Sequence, residues 1–178
     1  MIRPWKFIFL FLIATLLLVG CSASLDEKTS NGIKAASEAF HAEQKDATDD
    51  IEGITLYKPA GFTINEKSDS QNIIMKRNAD TYILFINSKE KENSRLFYDL
   101  LSADQNKKII AEETFTDDGI FGFAAVIQSD NDKVELITSI GGVKMTTLAK
   151  ESKIDQELPR MMDVVRSISQ NSESNGAK

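Results

Sequence analysis

The stretch IIAEETFTDDGIFGFAAVIQSDNDKVELITSIGGVKMTTLA, residues 109–149, decides the fold. Four apolar-rich runs, Ile109–Thr116, Ile120–Gln128, Val134–Ser139 and Val143–Ala149, are separated by Asp117-Asp118-Gly119, Asp130-Asn131-Asp132 and Gly141-Gly142. Asp-Gly and Gly-Gly tolerate the positive φ that tight hairpin turns require, so the runs predict an antiparallel meander.

Upstream, Ile54–Lys58 alternates and turns at Pro59-Ala60-Gly61 into Phe62–Ile64. Asn72–Arg77 and Thr81–Asn87 form a further strand pair joined at Asn78-Ala79-Asp80. Tyr82–Ile86 is apolar on both faces, which predicts a central strand. Ser94 is placed to cap a helix reaching Ala103, with Leu96, Phe97, Leu100 and Leu101 facing inward. Downstream, Ile154, Leu158, Met161, Met162, Val165 and Ile168 follow helical spacing, with Ser152 and Asp155 as a capping pair. Pro159 falls on the outer face early in that helix and forfeits one backbone bond. The expected domain, residues 51–169, is α+β: an antiparallel sheet of about seven strands covered by two helices.

The N-terminus reads as an address. Arg3 and Lys6 precede the apolar run Phe7–Val19, which as a helix spans about 20 Å against the roughly 30 Å of a bilayer core. A positive start and a short apolar run make residues 1–20 a secretory signal. Leu18-Val19-Gly20-Cys21 then has the pattern of a lipobox, with Val19 where alanine or serine is usual. Cleavage is expected between Gly20 and Cys21, and a diacylglyceryl thioether on Cys21 supplies the two chains that stable anchoring needs. The expected location is the extracytoplasmic face of the cell membrane. Residues 21–50 read two ways. They form a flexible tether with a reach of about 30 Å, or Ile33, Ala36, Ala39 and Phe40 line a short helix capped by Ser30 or Asn31. Deletion of Ser22–Asp50 is expected to leave the domain's unfolding transition nearly intact, a large loss being the mark of a segment that packs as structure. Residues 170–178 read as a disordered tail.

Loss of Arg3 and Lys6 with the leader takes the formal charge from −6 to −8, a poor match for nucleic acid or for anionic headgroups. Cys21 is the only cysteine, so no disulfide and no thiolate metal site is expected. His41, the only histidine, falls in the tether region. Ser-His-Asp and Cys-His catalysis, His-ligated zinc and c-type haem are therefore excluded from the domain. Glu112-Glu113 is the candidate for carboxylate acid/base chemistry, which needs a second carboxylate across a cleft. Asp130-Asn131-Asp132 starts like a calcium loop but lacks the following glycine and glutamate, and reads as a hairpin turn. Gly119, Gly122, Gly141 and Gly142 form no phosphate-cradling pattern. Met145, Met161 and Met162 read as core, not as a soft metal site. No cofactor and no metal is expected.

The opening Tyr57-Lys58-Pro59-Ala60-Gly61-Phe62-Thr63-Ile64, the helix Ser94–Ala103, the long meander and the closing Val164-Val165-Arg166-Ser167-Ile168 together resemble the Mog1/PsbP-like fold over about residues 52–169. The chain is also similar to small lipoproteins of Gram-positive bacteria. The resemblance implies a non-catalytic docking module, and it carries over no functional residue because no ligand-type histidine or cysteine stands at a matching position. The expected function is therefore a lipid-anchored, non-enzymatic binding protein with a protein partner in the envelope. Sheet surface and the hairpin tips Asp117–Gly119 and Ser129–Lys133 are its expected contacts. A small-ligand or ion-binding lipoprotein is the alternative, and a carboxylate-based envelope hydrolase stands behind that.

Overall fold

The computed structural model describes residues 24–170, with the backbone alone for Ser169 and Gln170. The leader, the Gly20–Cys21 cleavage and lipidation position, and tail residues 171–178 lie outside the described residues.

The meander forms as its turns dictate. β6 (Ile109–Asp117), β7 (Ile120–Gln128), β8 (Lys133–Ile140) and β9 (Val143–Lys150) pair in sequence, each with its neighbour and all antiparallel. Asp118 and Gly119 adopt positive φ at the first turn, and Asn131 and Asp132 do so at the second. β4 (Asn72–Arg77) and β5 (Asp80–Ile86) make the other hairpin, with β3 (Thr63–Ile64) on its outer edge. β5 then pairs with β9, completing one seven-stranded antiparallel sheet ordered β3-β4-β5-β9-β8-β7-β6. The Ile54 run joins a separate sheet instead. β2 (Ile54–Leu56) lies between β1 (Asp49–Ile51) and β10 (Ser169–Gln170).

Among the described residues three helices, not two, pack on the sheet. Of the two readings of this segment the helix holds, on the expected side and longer than expected: residues 25–41 form the 17-residue α1 (Leu25–His41), with Ile33, Ala36 and Phe40 buried. Its cap is Ser24, whose hydroxyl accepts the Glu27 N–H, in place of Ser30 or Asn31. The sequence there is polar because the helix exposes most of its surface. The one side that it buries, Thr29, Gly32, Ile33, Ala36 and Phe40, is small or apolar. Gly32 allows a close crossing, since a Cβ there would stand 2.8 Å from Ile154 Cγ2. α1 lies beside α3 (Ile154–Arg166), and both cover one face of the sheet. Lys28 meets Asp155 near the starts of both helices, and Phe40 meets Arg166 near their ends, so the pair runs parallel.

α3 continues through Pro159, which the missing intrahelical bond does not end. It follows a 3₁₀ turn, Glu151–Lys153, and carries no side-chain cap, so the expected Ser152/Asp155 capping pair is absent. Asp155 reaches Lys28 instead.

α2 (Leu96–Ala103) lies on the other face, where Phe97 and Leu101 pack with Phe121, Phe123, Ala125, Ile127 and Ile137. Leu100, expected on its inner side, is 59 % exposed, because eight residues present only a narrow stripe to the sheet. Ser94 Oγ accepts the Leu96 N–H from just outside the helix, while the cap position itself is Arg95. This short helix spans β7 and β8, touches Phe85 of β5 and Lys144 of β9 through Phe97, and leaves the rest of the outer face of β4, β5 and β9 open.

Candidate functional site

The open half of the sheet follows from strand alternation. Tyr82, Leu84 and Ile86 of β5 point into the core, so Thr81, Ile83 and Phe85 point the other way. Cross-strand register places Ile74 opposite Ile83 and Ile83 opposite Thr146, with Leu148 one position along β9 on the same face. Ile83 and Leu148 are 48 % and 52 % exposed. β5 is thus an interior strand whose inner side is buried and whose outer side is covered only at Phe85, 5.8 Å from the Phe97 ring of α2.

Cations frame this patch. Lys76, on the same face of β4, is exposed, as are Lys133 and Lys150, which stand directly opposite each other on β8 and β9. Glu135 is the acid that this face carries among them, and Lys107 pairs with it. Asp80, at the rim, is held 2.6 Å from Lys153. Asp130 and Asp132 belong to the neighbouring turn. Lys144 lies under the edge of α2, its ammonium 4.9 Å from the Phe97 ring centre. Burial pulls its pKa below the ordinary lysine value, with Glu135 opposing that shift.

A second concavity, of about 770 Å³, sits at one end of the sandwich. Loop residues Asn87–Asn93 form one wall, Gly119 and Ile120 another, and Val165, Arg166 and Ile168 a third. The loop rests directly on the β8–β9 turn. Asn87 N–H donates to Gly142 O, and Phe121 N–H donates to Glu92 O. A Cβ on Gly142 would stand 2.4 Å from Asn87 O and 2.7 Å from Glu90 Cβ. Gly142→Ala is therefore expected to push the loop off the turn at a cost of about 1–3 kcal/mol. Lys89 and Lys91 are exposed in that loop, so the displacement reads out as faster tryptic cleavage there, and an unchanged cleavage rate would contradict the packing.

The third cluster was not foreseen. Glu157, with a side chain 1 % exposed, accepts from Arg77 Nη1 at 2.8 Å and forms an ion pair, without a hydrogen bond, with Arg160 Nη1 at 3.0 Å. The Tyr82 hydroxyl donates to its other oxygen at 2.9 Å. Burial, and then the bond to Glu157, push the Tyr82 pKa above its usual range, so the hydroxyl stays a donor. Phe62 closes the cluster, its ring 4.8 Å from that of Tyr82 and 5.8 Å from the Arg77 guanidinium carbon. A carboxylate at position 157, inside the apolar stripe of Ile154, Leu158 and Met161, was the signal available in the sequence. With every carboxylate oxygen taken, this is a clamp between α3 and the sheet.

The other candidates do not assemble. Glu112 and Glu113 are both exposed and, as neighbours on β6, point to opposite faces; Glu112 accepts from the Tyr98 hydroxyl at 3.3 Å. Asp130-Asn131-Asp132 is the β7–β8 turn, and among the described residues no three His, Cys, Asp or Glu side chains gather as metal ligands. Met145, Met161 and Met162 are fully buried core. His41 is not in a tether but in the last turn of α1, its Nδ1 2.8 Å from Ser37 O. Of the two hairpin tips, Asp117–Gly119 reaches the end groove through Gly119, while Ser129–Lys133 is at the opposite end of the strands.

No family model and no curated protein matches the chain. Among solved structures it is similar to the solution structure of cyanobacterial PsbP (CyanoP) from Synechocystis sp. PCC 6803. The two share 13 % identity at a TM-score of 0.42, over 66 % of this chain and 86 % of that one.

Proposed function

We propose that this protein is a small lipoprotein of a Gram-positive envelope, anchored by lipid on Cys21 at the extracytoplasmic face, that docks a protein partner without catalysis. The leader and the Leu18–Cys21 pattern support the address. The observation that carries the docking role is the uncovered half of the sheet, where Ile74, Ile83 and Leu148 adjoin one another. Single exposed apolar residues are ordinary, but neighbouring ones on a rigid sheet framed by charge mark interaction surfaces. Lys76, Lys133 and Lys150 around that apolar centre, in a chain of net charge −6, select an acidic surface on the partner.

In-cell crosslinking of the full-length lipoprotein, followed by mass spectrometry, tests this reading. A reproducible partner whose crosslinks fall in an acidic region is expected, at least tenfold depleted in Ile83→Glu and Leu148→Glu. A partner retained at full yield by both variants would remove the sheet face from the reading. Cys21→Ala is expected to release the protein from membranes or stall its processing, and undisturbed membrane retention would remove the anchor.

A second reading, capture of a small ligand, is favoured by the end groove, whose volume lies in the range of ligand sites. It predicts that crosslinks or ligand depend on Gly142→Ala and not on Ile83→Glu.

A further inference from the structure

We propose that the domain stands end-on and close against the bilayer, with the β4–β5 and β7–β8 turns toward the lipid and the end groove facing away from it. The inference rests on lipidation of Cys21.

The first step is the length of free chain. α1 is capped at Ser24 and packed from there on, so three residue steps separate it from Cys21. Three steps reach about 11 Å at most, against about 30 Å for a flexible tether over residues 22–50. The start of α1 therefore cannot leave the headgroup region.

The second step is what surrounds that start. Lys28 of α1 holds Asp155 at the start of α3, Lys153 just before α3 holds Asp80 beside the β4–β5 turn, and Glu151 N–H donates to Asp132 O in the β7–β8 turn. These contacts gather the start of α1, both hairpin turns and the 3₁₀ turn at one end of the molecule. At the far end of α1, Gln44, Arg166 and loop Asn87–Asn93 border the groove. The 17 residues of α1 rise about 25 Å between the two ends.

The third step excludes the other orientation that the surface suggests, the cationic open face laid flat on anionic lipid. α1 packs on the opposite face of the sheet. Its axis is about 10 Å from the sheet on ordinary layer spacing, and the outward side chains add several ångströms more. A link of about 11 Å cannot pass that thickness and still let the face touch the bilayer. Nor does attraction drive the end-on contact, since Asp26, Glu27, Asp130, Asp132 and Glu151 cluster there against Lys133 and Lys150. The short link therefore sets which end of the domain meets the bilayer. The open sheet face consequently stands upright, accessible to a protein alongside.

Lipidation occupies Cys21, so a single introduced cysteine carries the test. Full-length lipidated Ala79→Cys, Ile83→Cys and Ser88→Cys proteins are labelled with a fluorophore and reconstituted into vesicles of anionic lipid containing a headgroup-nitroxide quencher. Ala79, beside the lipid-facing turn, is expected to be quenched at least threefold more than Ser88, with Ile83 between them. Twenty Gly/Ser residues inserted between Ala23 and Ser24 add a reach of about 25 Å and are expected to erase the difference. Equal quenching of Ala79 and Ser88 without the insert, or strongest quenching at Ile83, overturns the end-on orientation while leaving the anchor intact. A protein that does not float with its native membranes overturns the anchor reading, and the orientation with it.

Discussion

Phe40→Ala is expected to destabilise the domain by about 3–5 kcal/mol, the cost of emptying a well-packed aromatic site. Phe40 is fully buried, 5.4 Å from the Phe115 ring, and its edge fills the space that a Cβ on Gly122 would take at 2.7 Å. Arg166 covers its other side, the guanidinium carbon 5.6 Å from the ring centre. Phe115 and Gly122 are not free to collapse into the gap, because both are paired strand residues held by the β6–β7 ladder. In urea, with a slope of about 2 kcal/mol/M, the midpoint should fall by roughly 1.5–2.5 M. Lys34→Ala, exposed on the same helix, should stay within about 0.5 kcal/mol of the parent. A Phe40→Ala midpoint as high as that of Lys34→Ala would return residues 25–41 to the status of a tether. Deleting residues 24–42 removes Ile33, Ala36 and Phe40 from the core at once and should abolish the cooperative transition, the reverse of what their composition suggests.

What the sequence made legible depended on whether a signal was local. The four meander strands and their turns were readable because Asp-Gly, Gly-Gly and period-two alternation act within a few residues. α3 was readable because its stripe is long and strongly apolar. α1 stayed ambiguous for a physical reason: a helix that buries alanines, a glycine and one phenylalanine carries little apolar signal per turn, and its stability comes from tertiary contact. The same limit hid the pairing of β5 with β9, which joins strands across about sixty residues of chain and has no local mark. Ile83 shows the converse case. Apolar residues on both faces of β5 mark it as central, as it is, yet α2 is short enough to cover only Phe85 on the outer face and leaves Ile83 exposed.

The surface was less legible than the fold. Lys76, Lys133 and Lys150 are scattered through the sequence and read as ordinary solvated charge; only the strand register puts them around Ile83 and Leu148. The end groove likewise depends on the approach of loop Asn87–Asn93 to Gly142, whose glycine looks in the sequence like turn chemistry alone. The Leu18–Cys21 pattern behind the proposed anchor, in contrast, is contiguous and needs no fold to be seen.

Glu157→Ala should cost about 3 kcal/mol, the lower end for breaking a buried ion pair. The lower end applies because Arg77 and Arg160 side chains are each 27 % exposed and can turn their charge toward water once the carboxylate is gone. The Tyr82 hydroxyl, fully buried, cannot. Glu157→Gln should recover part of the loss, since its amide oxygen still accepts from Arg77 and its NH₂ can donate to the Tyr82 oxygen. Tyr82→Phe alone removes one donor from a carboxylate that keeps two guanidinium partners, and about 1–2 kcal/mol is expected. In the double variant the two losses should fall short of additivity, because the orphaned hydroxyl that makes Glu157→Ala costly is already absent. Additive losses would show that the hydroxyl and the carboxylate do not act as one unit. The cluster also sets an alkaline limit. Because the Tyr82 pKa is raised in the folded state, its contribution is complete below the unfolded tyrosine value of about 10 and is lost as pH climbs from there toward the folded value. Stability of the parent should therefore decline more steeply above pH 10 than that of Tyr82→Phe, and parallel pH profiles would place the tyrosine outside the clamp.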